Sequence, residues 1–418
     1  MFDQLFVRSD GLTRQLSAPL AEERSQYLAQ CAKEGMAAET LRMKARLLLS
    51  ITKYLRLAGQ HNDKIDVPRI ERAAKKWSNH NWPSMETKYT KLSRAAFTTE
   101  ATKWLKSMNR LESPRPRITV CDQIVAEFAS FMKEERGLSA VTVSHCCDSA
   151  RQFLDHVFAE NRSLMAVTVG AVDSFLAQRV NKGNYARVSV RAYASWLRSF
   201  FRYAEMRRWC RPGIAASIMA PRVFQHETLP AGPSWDVVQE VLDATGGDNP
   251  TNVRDHAILM LLALYGIRSM EVARLRLSDI DWQQDAIVFT RSKGGVRHSF
   301  PLHPSVAAAI IRYLKEVRPK SPHRQVFLTR CAPIKPLSHG AIWAIVAYRL
   351  RKRAPLLNHH GPHSIRHACA THLINQGLSL KEIGDHLGHR DPEATRIYAK
   401  VDLVQLREVA SFDLGELL

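Results

Sequence analysis

Near the C-terminal end of this chain, His363 and Arg366 fall three residues apart, His389 follows a Leu387-Gly388 step, and Tyr398 stands nine residues further on. Earlier, Arg268 follows Gly266-Ile267 and is itself followed by Glu271, and Lys293 opens a Lys-Gly-Gly turn. These residue types could together attack a phosphodiester without a metal. That reaction needs a nucleophile, cationic donors for the non-bridging oxygens, a base for the nucleophile and an acid for the leaving oxygen. A free phenol ionises near pH ~10 and needs help to attack. Arginine stays charged and offers paired N–H donors. Each residue also has a plainer reading: Arg268 against a helix C-terminal dipole, His363 and Arg366 on the surface of a first helical turn, Tyr398 in a core.

The elements that must position these groups can be read from pattern. Helical periodicity covers 253–265, 305–317, 338–353, 364–376 and 379–387. Ala286–Ser292 and Val296–Leu302 read as two strands around a hairpin turn at 293–295, and Gln325–Thr329 as a third strand. Ser379 and Glu382 form a capping box. Asp391 followed by Pro392 reads as a helix start, which puts Tyr398 about two turns into a short last helix.

Two proline-bearing stretches, 112–117 and 227–233, divide the 418 residues into three units: 1–112, 118–224 and 234–418. Ser234 reads as the N-cap of the helix that opens the third. The first two units look helical and the third mixed, mainly α with a small antiparallel sheet. No repeat or low-complexity tract is evident.

The formal charge is +20, from 60 Lys+Arg against 40 Asp+Glu. It is spread as +10 over 1–117, +4 over 118–230 and +6 over 231–418. A polyanionic partner that touches all three units is expected, nucleic acid ahead of acidic lipid; solubility is the blander use of such charge. The first unit interleaves lysines with aromatics, among them Lys75, Lys76, Lys103 and Lys106 with Trp77, Trp82, Tyr89 and Trp104. That pattern suits a nucleic-acid surface and equally a helical domain with a solvated face. In the second unit Arg187, Arg191, Arg198 and Arg202 fall within about 60° of one another on a helix, opposite an apolar face. No acid interrupts that row, so DNA phosphate contact is expected of it.

The seven cysteines form no CxxC pair, which points away from zinc or redox chemistry and toward reduced thiols. His367, His372 and His386 read as structural; His386 and His389 make an H-x-x-H pair, but no ligand cluster completes it. The N-terminus does not read as a signal peptide, and the apolar stretch near 257–267 is too short to cross a bilayer. A soluble, cytoplasmic, nucleoid-associated protein without membrane partners is expected.

The stretch Leu261–Asp281, with its Tyr-Gly-Ile-Arg-Ser-Met-Glu core, resembles the first conserved box of the tyrosine recombinase (phage integrase) family. His363-Ser-Ile-Arg366 resembles the second box, Leu387-Gly-His389 the L-G-H element, and Thr395-Arg-Ile-Tyr398 the nucleophile segment. The resemblance spans roughly 230–405, and more loosely the middle unit, which is similar to the family's core-binding (SAM-like) domain. It implies a catalytic set of Arg268, Lys293, His363, Arg366, His389 and the nucleophile Tyr398, with Glu271 in support. His363 would be the base, Arg268, Arg366 and His389 the phosphate donors, and Lys293 the acid for the 5′ oxygen. It further implies a 3′-phosphotyrosyl intermediate, no metal, ATP or other cofactor, and dimers on paired half-sites of double-stranded DNA that form a tetramer for exchange. Other recombinases could join that complex.

Residues 1–112 match no pattern of that family; an added DNA-binding or assembly module is expected there. The tail beyond Asp402, with Leu403, Val404, Leu406, Val409 and Phe412, reads as packing on a neighbouring protomer or on its own domain. Integration or transposition of a mobile element is the expected setting. The competing readings are a type IB topoisomerase, an accessory DNA-binding factor without catalysis, and a metal-dependent transposase, for which no acidic triad can be picked out.

Overall fold

The structure is a computed structural model. It describes the chain apart from residues 58–63, 82–87, 113–118, 160–162, 184, 223–231, 292–294, 390, 392 and 402–418, and describes backbone alone at 80, 81, 88–90, 179–183, 400 and 401. Both proline-bearing stretches overlap the undescribed residues. So do Trp82, Pro392, Lys293 and the tail from Asp402. The described chain separates into two compact units, 1–113 with 228–418, and 114–227.

Residues 1–113 fold as six helices: α1 (Phe2–Leu5), α2 (Ser9–Ser17), α3 (Ala21–Lys33), α4 (Ala38–Leu55), α5 (Val67–Asn81) and α6 (Lys88–Ser107). They enclose a core of their own around Leu28, Leu48, Ile51, Phe97 and Trp104. Trp104 is fully buried, and Trp77 packs against Phe97 with ring centroids 5.2 Å apart. These two rings therefore belong to packing; the lysines around them supply the solvated face.

Residues 114–227 hold α7 (Val120–Glu134), α8 (Ala140–Ala159), α9 (Val169–Gly183), α10 (Arg187–Met206) and α11 (Ile214–Ser217). Thr119 and Asp122 form a reciprocal capping box that starts α7. Leu197, Phe200, Phe201 and Ala204 of α10 are buried in the core with Phe128 and Phe153, as their helical spacing requires.

From Ser234 on the chain is mixed, as expected. Ser234 caps α12 (Trp235–Asp243) by accepting from Val237 N. Then follow α13 (Pro250–Tyr265) and α14 (Ser269–Arg274), the strands β1 (Ile280–Asp281), β2 (Ala286–Thr290) and β3 (Arg297–Pro301), and the helices α15 (Pro304–Arg312), α16 (His339–Arg353), α17 (Pro362–Asn375), α18 (Leu380–Leu387) and α19 (Glu393–Arg396). The sheet is antiparallel in the order β1-β2-β3, with Val288 opposite Ser299.

Two expectations are corrected here. Gln325–Thr329 is not a sheet strand. Val326 N donates to Leu275 O (2.8 Å) and Leu337 N to Phe327 O (3.0 Å), so the segment satisfies its backbone on irregular chain. Val326, Phe327 and Leu328 are all buried, without the alternation of a one-faced strand. The last helix ends at Arg396, and Tyr398 lies in the 3₁₀ turn Ile397–Val401 that follows.

Several contacts fix the frame of the site. α13 is buried almost all round and ends on Gly266 at φ +55°. A Cβ there would lie 2.5 Å from Leu387 Cδ2 and 3.2 Å from Cys369 Sγ, so only glycine lets α17 and α18 close on this turn. The Tyr265 hydroxyl donates to Pro301 O (2.9 Å) and accepts from His303 N (3.0 Å), tying the end of α13 to the end of β3.

Candidate active site

Arg268 occupies the N-cap of α14, directly after the Gly266 turn. Glu271 is fully buried one turn later, and its carboxylate accepts from Arg268 and Arg291. Oε1 accepts from Arg268 Nη1 (3.3 Å); Oε2 accepts from the Arg268 backbone N–H (3.0 Å) and from Arg291 Nη1 (3.2 Å). Arg291 is buried, and its Nη2 reaches the carbonyl of His386 (3.1 Å). A Cβ on Gly388, which sits at φ +66°, would lie 2.5 Å from the Arg291 guanidinium. One arginine thus links the first box, the end of β2 and the L-G-H turn. Burial lowers the pKa of Arg291, and the Glu271 carboxylate opposes that.

On α17, Arg366 is buried and donates to Gly266 O and, at 2.9 Å, to Leu387 O. Two of its five N–H groups are used this way, which leaves three for an anion. Burial, with Arg268 nearby, brings its pKa down to about 10, so it remains charged at neutral pH.

His363 and His367 lie one turn apart on the same helix, rings edge to face at 4.4 Å. The Tyr398 hydroxyl is 2.9 Å from His367 Nδ1. Tyr398 is 1% exposed and packs with Ala370, Ile374, Ile383 and Leu387. Burial raises the phenol to about 12, against the pull of Arg366. Burial and the neighbouring His363 and Arg366 hold His367 down to about 4, so it is neutral at pH 7 and can accept a hydrogen bond from the phenol. His363 is lowered by burial, then by Arg366 and Arg268.

His389 Nδ1 is hydrogen-bonded to the hydroxyl of buried Thr395 (2.8 Å), which fixes the ring and leaves Nε2 as its second nitrogen. Burial, then Arg366 and Arg268, bring His389 down to about 4. Arg268, Arg291, Gly388 and His389 line a cavity of about 520 Å³ that Asp385 and Asp391 also border. His386 bonds to Leu264 O through Nε2 (3.2 Å) and His372 stacks on Trp235 at 4.0 Å, so both serve packing.

The chain therefore gathers Arg268, Glu271, His363, Arg366, His389 and Tyr398 in one region; Lys293 lies outside the described residues. Sequence reasoning passed over Arg291 and gave His367 only a structural part. Arg291 continues the inward alternation of Ile287 and Phe289, and an arginine at an inward position was the available signal. His367 is four residues after His363, on the same helical face. In the middle unit Arg187, Arg191 and Arg202 are exposed, while Arg198 is half-buried and donates to Ile218 O (2.7 Å).

Residues 234–403 match the Phage integrase family and residues 125–208 its N-terminal SAM-like domain. The putative integrase/recombinase y4rA of Sinorhizobium fredii is 34% identical over 69% of this chain and 70% of its own length. Tyrosine recombinase XerD of Listeria monocytogenes serotype 4b is 28% identical over 69% of this chain and 97% of its own. Among solved structures, XerH recombinase bound to its difH substrate superposes with a TM-score of 0.52, at 15% identity, over 85% of this chain and 98% of that one. A lambda integrase dimer on a core site gives 0.52, at 18% identity, over 73% and 86%. The fold and the grouping of a buried tyrosine with two arginines and histidines define a tyrosine recombinase. The chain belongs to the phage integrase family and is a site-specific DNA recombinase.

Proposed function

We propose that this recombinase cuts and rejoins double-stranded DNA through Tyr398, at paired half-sites, as a dimer that becomes a tetramer for exchange. The observation that carries this reading is the Tyr398 phenol set beside Arg366, a cation that acts on it, in the region that also holds Arg268, His363 and His389. Arg268, Arg366 and the Nε2 side of His389 donate to the non-bridging oxygens. His363 takes the phenol proton as the Tyr398 O–P bond forms. The P–O5′ bond breaks, and Lys293 protonates the leaving oxygen. The product is a 3′-phosphotyrosyl ester and a free 5′ hydroxyl. Attack by the 5′ hydroxyl of a partner strand reverses the chemistry on a new duplex. The ester keeps the bond energy, so the cycle needs no ATP, and protein cations do the work of a metal.

Exposed Arg187, Arg191 and Arg202 bind phosphates of the half-site, with Arg198 more a strut than a contact. The tail beyond Asp402 packs on a neighbouring protomer. Its loss in a 1–404 chain should abolish cooperative binding; unchanged cooperativity assigns it to its own domain. The setting is a mobile element that integrates or transposes, in the cytoplasm at the nucleoid. Among the described residues no helix is long and apolar enough to cross a membrane.

The test is a nicked duplex suicide substrate taken from DNA flanking the gene, incubated with wild type and Tyr398→Phe without divalent metal. An SDS-stable adduct from wild type alone supports the assignment. An adduct from both moves the nucleophile elsewhere, and none from either, despite tight binding, points to an accessory role.

A further inference from the structure

Thr395 belongs to α19, on the same short segment as Tyr398, yet its side chain serves a different group. It is 3% exposed, and its hydroxyl lies 2.8 Å from Nδ1 of His389. Gly384 of α18 makes that contact possible in two ways. A Cβ there would stand 3.1 Å from Thr395 Oγ1, so the missing side chain lets the hydroxyl in close. The Gly384 carbonyl also accepts from the His389 backbone N–H (2.8 Å), which turns the chain so that the ring meets the hydroxyl. The ring borders the cavity that Arg268 and Arg291 line.

A neutral imidazole carries one ring proton, and the nitrogen that holds it decides what the ring can do. His389 is neutral at pH 7, because burial and the two arginines hold it down to about 4. With the proton on Nδ1, the ring would donate to Thr395 and present only a lone pair at Nε2. An anionic phosphate oxygen has no use for a lone pair. With the proton on Nε2, the ring can donate to that oxygen. Among the described residues, His389 Nδ1 is the one hydrogen-bond partner of the Thr395 hydroxyl. A buried hydroxyl whose proton finds no acceptor is disfavoured. The hydroxyl therefore donates, Nδ1 accepts, and the ring proton stays on Nε2.

We infer that Thr395 is a positioning residue for strand cleavage, which sets His389 in the tautomer that donates to the scissile phosphate. Its hydroxyl acts through the imidazole rather than on the phosphate. Because Thr395 and Tyr398 share one segment, the element that delivers the nucleophile also prepares a phosphate donor. This inference rests on the cleavage reading above, and its test separates the two.

The full chain is assayed for single-turnover adduct formation on the nicked suicide duplex, with half-site affinity read by anisotropy. Thr395→Val keeps the shape and removes the hydroxyl. It should slow cleavage about 10-fold or more, short of the about 10²–10³-fold that loss of a whole transition-state donor costs. Kd should stay within about two-fold, since the donor counts in the transition state rather than in binding. Thr395→Ser keeps the hydroxyl and should restore most of the rate. Thr395→Val/His389→Ala should be no slower than His389→Ala alone, because both changes strike one donor. Additive losses, or a serine no better than valine, overturn the inference. A second readout does not depend on the valine variant folding. In the full chain with 15N-labelled histidine rings, the His389 signal, assigned by its loss in His389→Ala, should show the proton on Nε2 at neutral pH; a proton on Nδ1 overturns the inference. Absence of an adduct from wild type would strike at the cleavage reading instead and leave the ring measurement to decide the tautomer.

Discussion

The hydroxyl of Tyr398 lies 2.9 Å from Nδ1 of His367 while the tyrosine is 1% exposed. On the proposed mechanism the buried phenol must leave that bond to attack a phosphate. The bond to His367 belongs to the resting arrangement. His363→Ala should slow adduct formation by about 10²–10⁴-fold, the usual range for a lost general base. His367→Ala should cost about 1 kcal/mol of stability, one net hydrogen bond, and leave cleavage within a few-fold of wild type. Single-turnover rates and urea melts check both; the opposite ranking would make His367 the base.

Glu271 sits between two guanidiniums, and among the described residues it is the carboxylate that pairs with Arg291. Glu271→Ala leaves a buried cation unpaired and should cost roughly 3 kcal/mol in a denaturant melt. Glu271→Ala/Arg291→Met should recover part of that stability but not activity, since Arg268 still lacks its anchor.

Stability should fall in mild acid. His367 and His389 are held at about 4 when folded and titrate near pH ~6.5 when unfolded. Between those values the unfolded chain binds more protons, so stability is full above about pH 6.5 and declines as pH drops toward 4. A Tm series from pH 7.5 to 4.5 should show the slope, and His367→Gln/His389→Gln should flatten it.

Gly388 takes φ +66° with the Arg291 guanidinium where a Cβ would point. Gly388→Ala should cost at least about 1 kcal/mol from backbone strain alone. It should also displace Arg291, so cleavage should drop further than the Tm change implies. A kcat loss no larger than that of a distant variant of equal Tm would remove Arg291 from the site's support.

Arg187→Ala and Arg191→Ala should each flatten the salt dependence of half-site binding by about 0.9. Arg198→Ala should act mainly on stability, because its guanidinium caps the Ile218 carbonyl.

The helices were legible because their apolar faces recur at helical spacing. Ser379 and Glu382 close the predicted capping box on both sides, and the hairpin strands stand within a residue or two of where alternation puts them. Gln325–Thr329 misleads because a buried β-branched and aromatic run looks like a strand whether or not a neighbour pairs with it. Tyr398 falls in a 3₁₀ turn that no local residue announces. Arg291 was passed over, and His367 left as structural, for a different reason. Their partners, Glu271, His386 and Tyr398, lie 20, 95 and 31 residues away, and local pattern does not carry such distances. Trp104 shows the converse, a ring set among lysines whose burial only the tertiary fold decides.

Arg291 has a consequence for heredity. It joins three stretches that are far apart in the gene, the first box at Glu271, the strand end at 291 and the turn at His386–Gly388. A hybrid that took its last segment from a relative and the rest from this chain would keep every catalytic letter. It would still bring a foreign turn against an arginine shaped to this one. Pieces of this domain are therefore exchangeable between genes only as a set, and crossovers between codons 291 and 386 should be the ones that yield folded but inactive offspring.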